Sequence, residues 1–547
     1  MALPALGGLF AEDQCPDLDA STLGNRALLE AVAKLGWMRS DGSLARINWR
    51  DMGPEELGSV YESLLELVPD ISADGRVFRF ANAESSKGNA RKTSGSYYTP
   101  DSLVQELLDS ALEPVIQQRI NGATDPEGAL LSITVCDPAC GSGHFLLGAA
   151  RRLATRLAQL RAQGTPSGED FRHALRDVIT HCIFGVDRNP MAIELARMSL
   201  WLEAMTPDRP LGFLDHHLQC GDALLGLTDL AALEQGIPKD AFKALSGDDK
   251  EVCKALAKQN AAELKDLQRK RTAQAFGQRD LLGLRPGGMD KLRALEALPD
   301  DTLEQIAAKQ AAWQAFAQES ADSPLRHAAD MLLAAFLLPK TETNQHAVPT
   351  TGTVVLELLG EHAAPGHAGK RGAAGEICTE ARVLHWPLAF PLVHAAGGFT
   401  CVLGNPPWER IKLQEEEFFA SRNRDVAEAR NKAERSQRIQ WLSEGILAAH
   451  LDPEAGHSQM QSLAEKRLYT DFLSARRTAE AASAFAHVKG DAGGRYPLTG
   501  RGDVDTYALF AETFSQLRST SGRAGIIVKS GICTDDTYKA FFQWLVS

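Results

Sequence analysis

Asn405-Pro406-Pro407-Trp408 is the stretch of this chain best suited to act on an aromatic amine. The lone pair of such an amine is delocalised into its ring, so the nitrogen is a poor nucleophile. Two acceptors aimed at its two hydrogens draw the nitrogen towards tetrahedral geometry. The Asn405 side-chain oxygen and the Pro406 carbonyl can supply them. Pro406 and Pro407 fix φ and hold those acceptors rigidly. Trp408 offers a face on which an extruded base can stack. Attack on a sulfonium methyl then proceeds by in-line displacement, with no covalent enzyme nucleophile.

Three acidic turns earlier in the chain describe the methyl donor. Asp137-Pro138-Ala139-Cys140-Gly141-Ser142-Gly143-His144-Phe145 follows an apolar run and opens a helix. Its glycines allow close backbone approach, and the helix start offers unpaired N–H groups. It lacks the lysine of a phosphate-gripping loop and the spacing of a dinucleotide loop. Asp137 beside that turn suits an ammonium group. Asp187, with Arg188 and Asn189, ends the next apolar run. A carboxylate there can accept hydrogen bonds from both ribose hydroxyls, although a lone strand-end Asp also serves as a helix cap. Asp222 and Ala223 follow a third short run, where a carboxylate can accept from an adenine amine. An adenosine bearing an amino acid fits all three, which is S-adenosylmethionine.

These turns need strands to carry them. Apolar runs at 133–136, 182–186, 218–220, 399–403 and 524–528 predict five strands. Helices are expected at about 100–119, from the glycine turn through 160, and at 190–205, 503–518 and 539–546. The alternation predicts an α/β fold, a doubly wound Rossmann-like parallel sheet. Residues 1–95 read as mostly helical. One apolar stripe is Leu28, Leu29, Val32, Ala33 and Leu35, and another runs from Leu57 to Leu67. Residues 83–96 read as a mobile loop. Residues 226–340 read as a helical insertion and 362–376 as a flexible loop, with further helix at about 409–485. The chain therefore divides into a helical segment 1–95, a cofactor half 96–225, an insertion 226–395 and a catalytic half 396–547.

Composition limits the alternatives. The chain has 547 residues and a formal net charge of −13, so any DNA groove must be local or supplied by another segment. No apolar run reaches the roughly 20 residues needed to cross a bilayer, and no secretory signal is visible, so a cytoplasmic protein is expected. Nine cysteines are scattered without a C-x-x-C pair, and the histidines at 362–376 lack fixed ligand spacing. No metal site is expected.

The order of these motifs resembles the gamma-class N6-adenine DNA methyltransferases. Gly95-Ser96-Tyr97-Tyr98-Thr99-Pro100 matches a further motif of that family. The resemblance implies that Tyr98, Thr99 and Pro100 touch the methionine end of S-adenosylmethionine. It also implies methylation of adenine N6 at specific sites in double-stranded DNA, with the adenine flipped out. More narrowly, Leu57 to Leu65 and Arg501 to Phe510 resemble the large methylases of type IIG restriction-modification and of BREX- and DISARM-type phage defence. Val528-Lys529-Ser530-Gly531 stands where the family has Val-Pro-Ser-Gly, and Asp505 where Asn is common. Neither departure is expected to touch the chemistry. The family fold continues with a hairpin and a target-recognition domain. The expectation is therefore a sheet incomplete at the C-terminus, completed by a recognition region or defence subunit in another chain, and weak DNA methylation by this chain alone. An alpha-type arrangement, with recognition inside 226–395, is the alternative. Methylation of RNA or of protein glutamine uses the same tetrapeptide, and a cofactor-binding DNA sensor with little turnover also fits. Cytosine C5 methylation does not, because no Pro-Cys dipeptide is present.

Overall fold

The computed structural model describes residues 16, 20–40, 42–49, 60, 69–71, 78–80, 99–162, 164–206, 209–210, 212–272, 288–420, 422–451, 462–490 and 493–547. Its centre is a five-stranded sheet of β1 Val135–Asp137, β2 Ile183–Asp187, β3 Leu218–Cys220, β4 Phe399–Gly404 and β5 Arg518–Ile526. The order is β3-β2-β1-β4-β5, and every pairing is parallel. The helices used below are α1 His144–Arg161, α2 Gly168–Cys182, α3 Pro190–Glu203, α4 Pro324–Leu337, α5 Thr351–Leu359, α6 His367–Glu380 and α7 Thr506–Leu517.

The chain winds outward from β1 to β3 and then returns to lay β4 on the free side of β1. Connections leave β1 and β4 in opposite directions, which opens a crevice at their carboxyl ends. Side-chain alternation sends Val135, Ile183, Cys401 and Leu403 to one face, where they pack with the apolar sides of α1 and α2. Cys136, Phe184, Val186 and Val402 face the other way, against Trp386 and against Phe510 and Phe514 of α7. Burial of both faces explains why these strands read as nearly continuous apolar runs.

Local signals set the helix ends. Asn189 accepts from the Met191 N–H at 3.0 Å and Pro190 occupies the first turn, so α3 starts at a preformed cap. The helix expected from residue 100 forms as Asp101–Leu107 and Glu113–Ile120, joined by a π-helical turn at Leu108–Leu112. Pro114 lies at the far side of that turn and has no N–H to give a carbonyl behind it.

Four expectations need correction. β5 begins at Arg518, six residues before the apolar run that predicted it, because Arg518 already pairs with Phe399. The ladder then breaks and resumes at Cys401 with Arg523. The N-terminal segment contains the expected helix, Asn25–Gly36, but also antiparallel pairs Trp37–Ser40 with Ser43–Arg46 and Pro69–Ile71 with Phe78–Phe80. Gly42, just before the second strand of the first pair, adopts φ +79°, a conformation suited to glycine. Leu28, Leu29, Val32 and Leu35 are exposed and form no packing layer. Residues 367–380 are helical, not a loop, since burial of His367, Ala374 and Cys378 outweighs the low helix propensity of three glycines. Apart from Val60, the Leu57–Leu67 stripe lies outside the described residues, as do the loop at 83–96 and Tyr98.

The described residues of 226–340 are largely helical, including Lys250–Thr272 and Leu303–Ala321 as well as α4. Among the described residues no helix is long and apolar enough to cross a membrane. The eight described cysteines are free thiols.

Candidate active site

Parallel strands place Asp137, Asp187, Asp222 and Asn405 along one edge of the sheet. Asp137 is the last residue of β1 and Asp187 the last of β2. Asp222 lies two residues past β3, and Asn405 directly follows β4.

The glycine turn is braced from the neighbouring strand. The Gly141 N–H donates to Asp187 Oδ2 at 2.9 Å, and the Asn189 N–H donates to Asp187 Oδ1 at 2.8 Å. The Cys140 N–H donates to the Val186 carbonyl at 2.9 Å. Each carboxylate oxygen retains acceptor capacity, so Asp187 can shape this turn and still receive a hydroxyl. Gly143 has φ +89°, and a Cβ there would lie 3.3 Å from Ala196 of α3. Phe145 is buried in the core packed by α1.

Asp137 is almost completely buried, and the Ala139 N–H donates to its Oδ1 at 3.0 Å. Burial, helped by the nearby Asp187 charge and opposed by that hydrogen bond, raises its pKa from 3.8 to about 8. Burial also raises the pKa of Asp187. The end of β4 closes on this group. A Cβ on Gly404 would come within 2.5 Å of Asp137 Oδ1, so only glycine leaves the carboxyl where it is.

The third turn is pinned by residues distant in sequence. The Asp222 N–H donates to the Arg382 carbonyl at 2.7 Å, and Asp222 Oδ1 accepts from the Leu224 N–H at 2.9 Å. Asp222 Oδ2 lies 3.7 Å from Arg188, an exposed side chain. The Ala223 carbonyl accepts from Arg495 at 2.6 Å and from the Trp386 indole at 3.1 Å. Tyr496 donates to the Leu224 carbonyl at 2.7 Å. Arg382, Trp386, Arg495 and Tyr496 escaped sequence reasoning. Their partners lie up to 272 positions away, and no local spacing signals that.

Asn405 has the most telling environment. Its Nδ2 donates to Thr99 Oγ1 at 3.0 Å. Among the described residues its Oδ1 is buried without a hydrogen-bond partner. Among the described residues no hydrogen bond engages the Pro406 carbonyl either. A buried amide oxygen left unpaired costs roughly 1–3 kcal/mol and is exceptional in folded proteins. The two neighbouring acceptors suit two N–H groups of one amine. Thr99 thus supports Asn405, whereas Pro100 is exposed and precedes the helix at Asp101.

The remainder of the tetrapeptide is clamped. Thr506 Oγ1 donates to the Pro407 carbonyl at 2.7 Å and accepts from the Glu409 N–H at 3.0 Å. The Trp408 indole donates to the Ile527 carbonyl at 3.3 Å. Lys529 Nζ donates to the Trp408 backbone carbonyl at 3.1 Å and lies 6.0 Å from its ring centroid. A proline at 529 could form neither contact. Glu409 was also missed. Burial and the Glu417 charge, opposed by Arg188, raise its pKa to about 7, and its Oε1 is buried without a partner.

Two family models and two curated relatives match stretches of this chain. Residues 77–210, holding Asp137 and Asp187, match the family model described as N-6 DNA Methylase. Residues 181–439, holding Asp222 and Asn405, match the Eco57I restriction-modification methylase model. A Methanocaldococcus jannaschii protein named "Putative type II restriction enzyme and methyltransferase" is 24% identical over 274 residues, covering 41% of this chain and 21% of its own. The adenine-specific methyltransferase PglX of Streptomyces coelicolor is 33% identical over 144 residues, covering 25% of this chain and 11% of its own. The resemblance to N6-adenine and restriction-modification methylases is borne out over these residues. The matched region spans about a fifth or less of the curated relatives.

Proposed function

We propose that this chain transfers a methyl group from S-adenosylmethionine to the N6 amine of adenine at specific sites in DNA, within a restriction-modification or phage-defence system. The observation that carries this reading is the buried, unpartnered Oδ1 of Asn405, with its amide nitrogen tied to Thr99.

The crevice fits the cofactor on grounds of its own. Space for a ligand is kept by glycine at 404, and Asp137 makes no ion pair among the described residues. S-adenosylmethionine supplies an electrophilic methyl on a sulfonium. Asp137 would neutralise the ammonium of its methionine end, near Thr99 and Pro100 and, by family resemblance, Tyr98. The turn Pro138 to Gly143 would line the same end. Asp187, with Arg188 and Asn189 around it, would accept from the ribose hydroxyls. Asp222 would accept from the adenine amine, with Ala223 held behind it.

Catalysis then falls to Asn405 and Pro406. Their oxygens accept the two hydrogens of the target N6 and localise its lone pair for in-line attack. Pro407 and Thr506 keep the Pro406 carbonyl in place, and Trp408 stacks on the flipped base. Methylation leaves N6 cationic, and it regains neutrality by losing one proton.

On this reading a doubly wound sheet carries a cofactor half at 96–225 and a catalytic half at 396–547, with 1–95 and the helical 226–395 appended. The acidic charge of the chain supports assigning most phosphate contacts to a target-recognition region or to defence-system subunits in another chain. A cytoplasmic location goes with this reading. Incubation with methyl-labelled cofactor and, separately, duplex DNA, RNA or a release-factor peptide tests the proposal. Label in N6-methyladenine of DNA supports it. Label confined to RNA or glutamine overturns it.

A further inference from the structure

Far along the chain from the strand tips, a buried carboxylate is ringed by histidines. Glu357 of α5 is 0% exposed. His367, the first residue of α6, brings Nε2 within 2.5 Å of Glu357 Oε2. His362, between α5 and α6, brings Nδ1 within 3.3 Å of the same oxygen. His327 of α4 takes the other oxygen, with Nδ1 3.0 Å from Oε1. The facing atoms of Glu357, His362 and His367 all lie within 4.8 Å of one another.

A buried carboxylate requires a compensating positive charge. Glu357 is such a carboxylate, and its two oxygens face three imidazoles. Among the described residues its ion-pair partners are all histidines, with no lysine or arginine. Two imidazole nitrogens and one carboxylate oxygen converge on a common point. The third histidine binds the oxygen facing away, where it would orient the carboxylate as outer partners of metal sites do. His367 is buried, whereas His362 is 43% exposed and leaves a side open for entry and for water.

We propose that Glu357, His362 and His367 bind one divalent transition-metal ion, preferentially zinc, with His327 holding the carboxylate in register. A borderline nitrogen–oxygen ligand set with an open position suits zinc over magnesium or calcium. The ion would tie the 360–366 turn to α4, α5 and α6. Sequence spacing concealed the set because Glu357 and His327 come from other helices than the histidine-rich stretch. A second group, His216, His217 and Glu296, is less suited to a cation, because the positive charge of Lys309 acts on both histidines.

The test uses the untagged full chain, stripped with chelator and titrated with zinc by calorimetry. Cobalt absorption gives a second readout of imidazole ligation. About one equivalent is expected, together with a rise in Tm on zinc addition. His362→Ala, at an exposed position, is expected to abolish tight binding while the circular dichroism stays unchanged. His327→Ala is expected to weaken binding roughly 10- to 100-fold. His216→Ala is expected to leave binding intact. Failure of the wild-type chain to bind zinc or cobalt overturns the proposal. Binding that survives His362→Ala unchanged, or that is lost in His216→Ala, overturns it as well.

Discussion

On the proposed function, the affinity of this chain for S-adenosylmethionine is expected to depend on the proton carried by Asp137. In the free protein burial holds that proton until about pH 8, against 3.8 for an ordinary aspartate. A bound ammonium requires the ionised form, so binding below pH 8 must expel the proton. Each pH unit below 8 then lowers affinity tenfold, about 1.4 kcal/mol, and pH 6 costs roughly 100-fold. S-adenosylhomocysteine has the same amino-acid end and does not react, so it serves as the ligand. Calorimetry between pH 5.5 and 7.5 gives the slope. Repetition in buffers of different ionisation enthalpy gives the proton count, expected near one. Asp137→Asn is expected to bind weakly and to lose that slope, save what Asp187 contributes. Constant affinity across this range, with no proton released by the wild-type chain, would refute the assignment of Asp137.

The same shifts affect the fold. A carboxyl whose pKa is raised on folding contributes stability below its unfolded pKa and loses it as pH rises through the folded value. Asp137 and Glu409 each contribute such stability, which fades as pH rises towards about 8 and about 7, so the Tm advantage of the cofactor-free wild type over Glu409→Gln is expected to shrink between pH 5 and 7. Gly404→Ala puts a Cβ 2.5 Å from Asp137 Oδ1; the displacement costs about 1–3 kcal/mol and is expected to weaken ligand binding more than tenfold by calorimetry. Thr99→Val frees the Asn405 amide and is expected to lower kcat roughly tenfold with little change in cofactor Kd, a split that single-turnover kinetics resolves. Arg495→Met strips donors from the carbonyls of Ala223 and Gly226 and is expected to cost about 3 kcal/mol in urea unfolding.

Local chemistry made the sheet and its acidic turns legible. β3 lies at the residues its apolar run predicted, β2 is shifted by one residue and β4 is longer by one, because strand and turn are set by neighbours in sequence. Asn405, Asp137, Asp187 and Asp222 were named from such signals. What stayed hidden depends on distance along the chain. Arg495 reaches Ala223 across 272 positions, and Thr99 reaches Asn405 across 306. The early start of β5 follows from pairing with Phe399, not from its own hydropathy. Residues 362–376 looked like a loop because glycines lower helix propensity, whereas burial of Ala374 and Cys378 makes His367–Glu380 a helix. Lys529 looked remote because its nearness to Trp408 exists only once β5 lies beside β4.

The central claim is that Asn405 Oδ1 and the Pro406 carbonyl grip an adenine amine. Its most direct test is modified-base sequencing of host DNA from cells carrying either the wild-type gene with its neighbours or the Asn405→Ala variant. The account predicts N6-methyladenine at a defined DNA sequence in the wild type and none above background in the variant. Persistence of the same N6-methyladenine pattern in Asn405→Ala cells would contradict it.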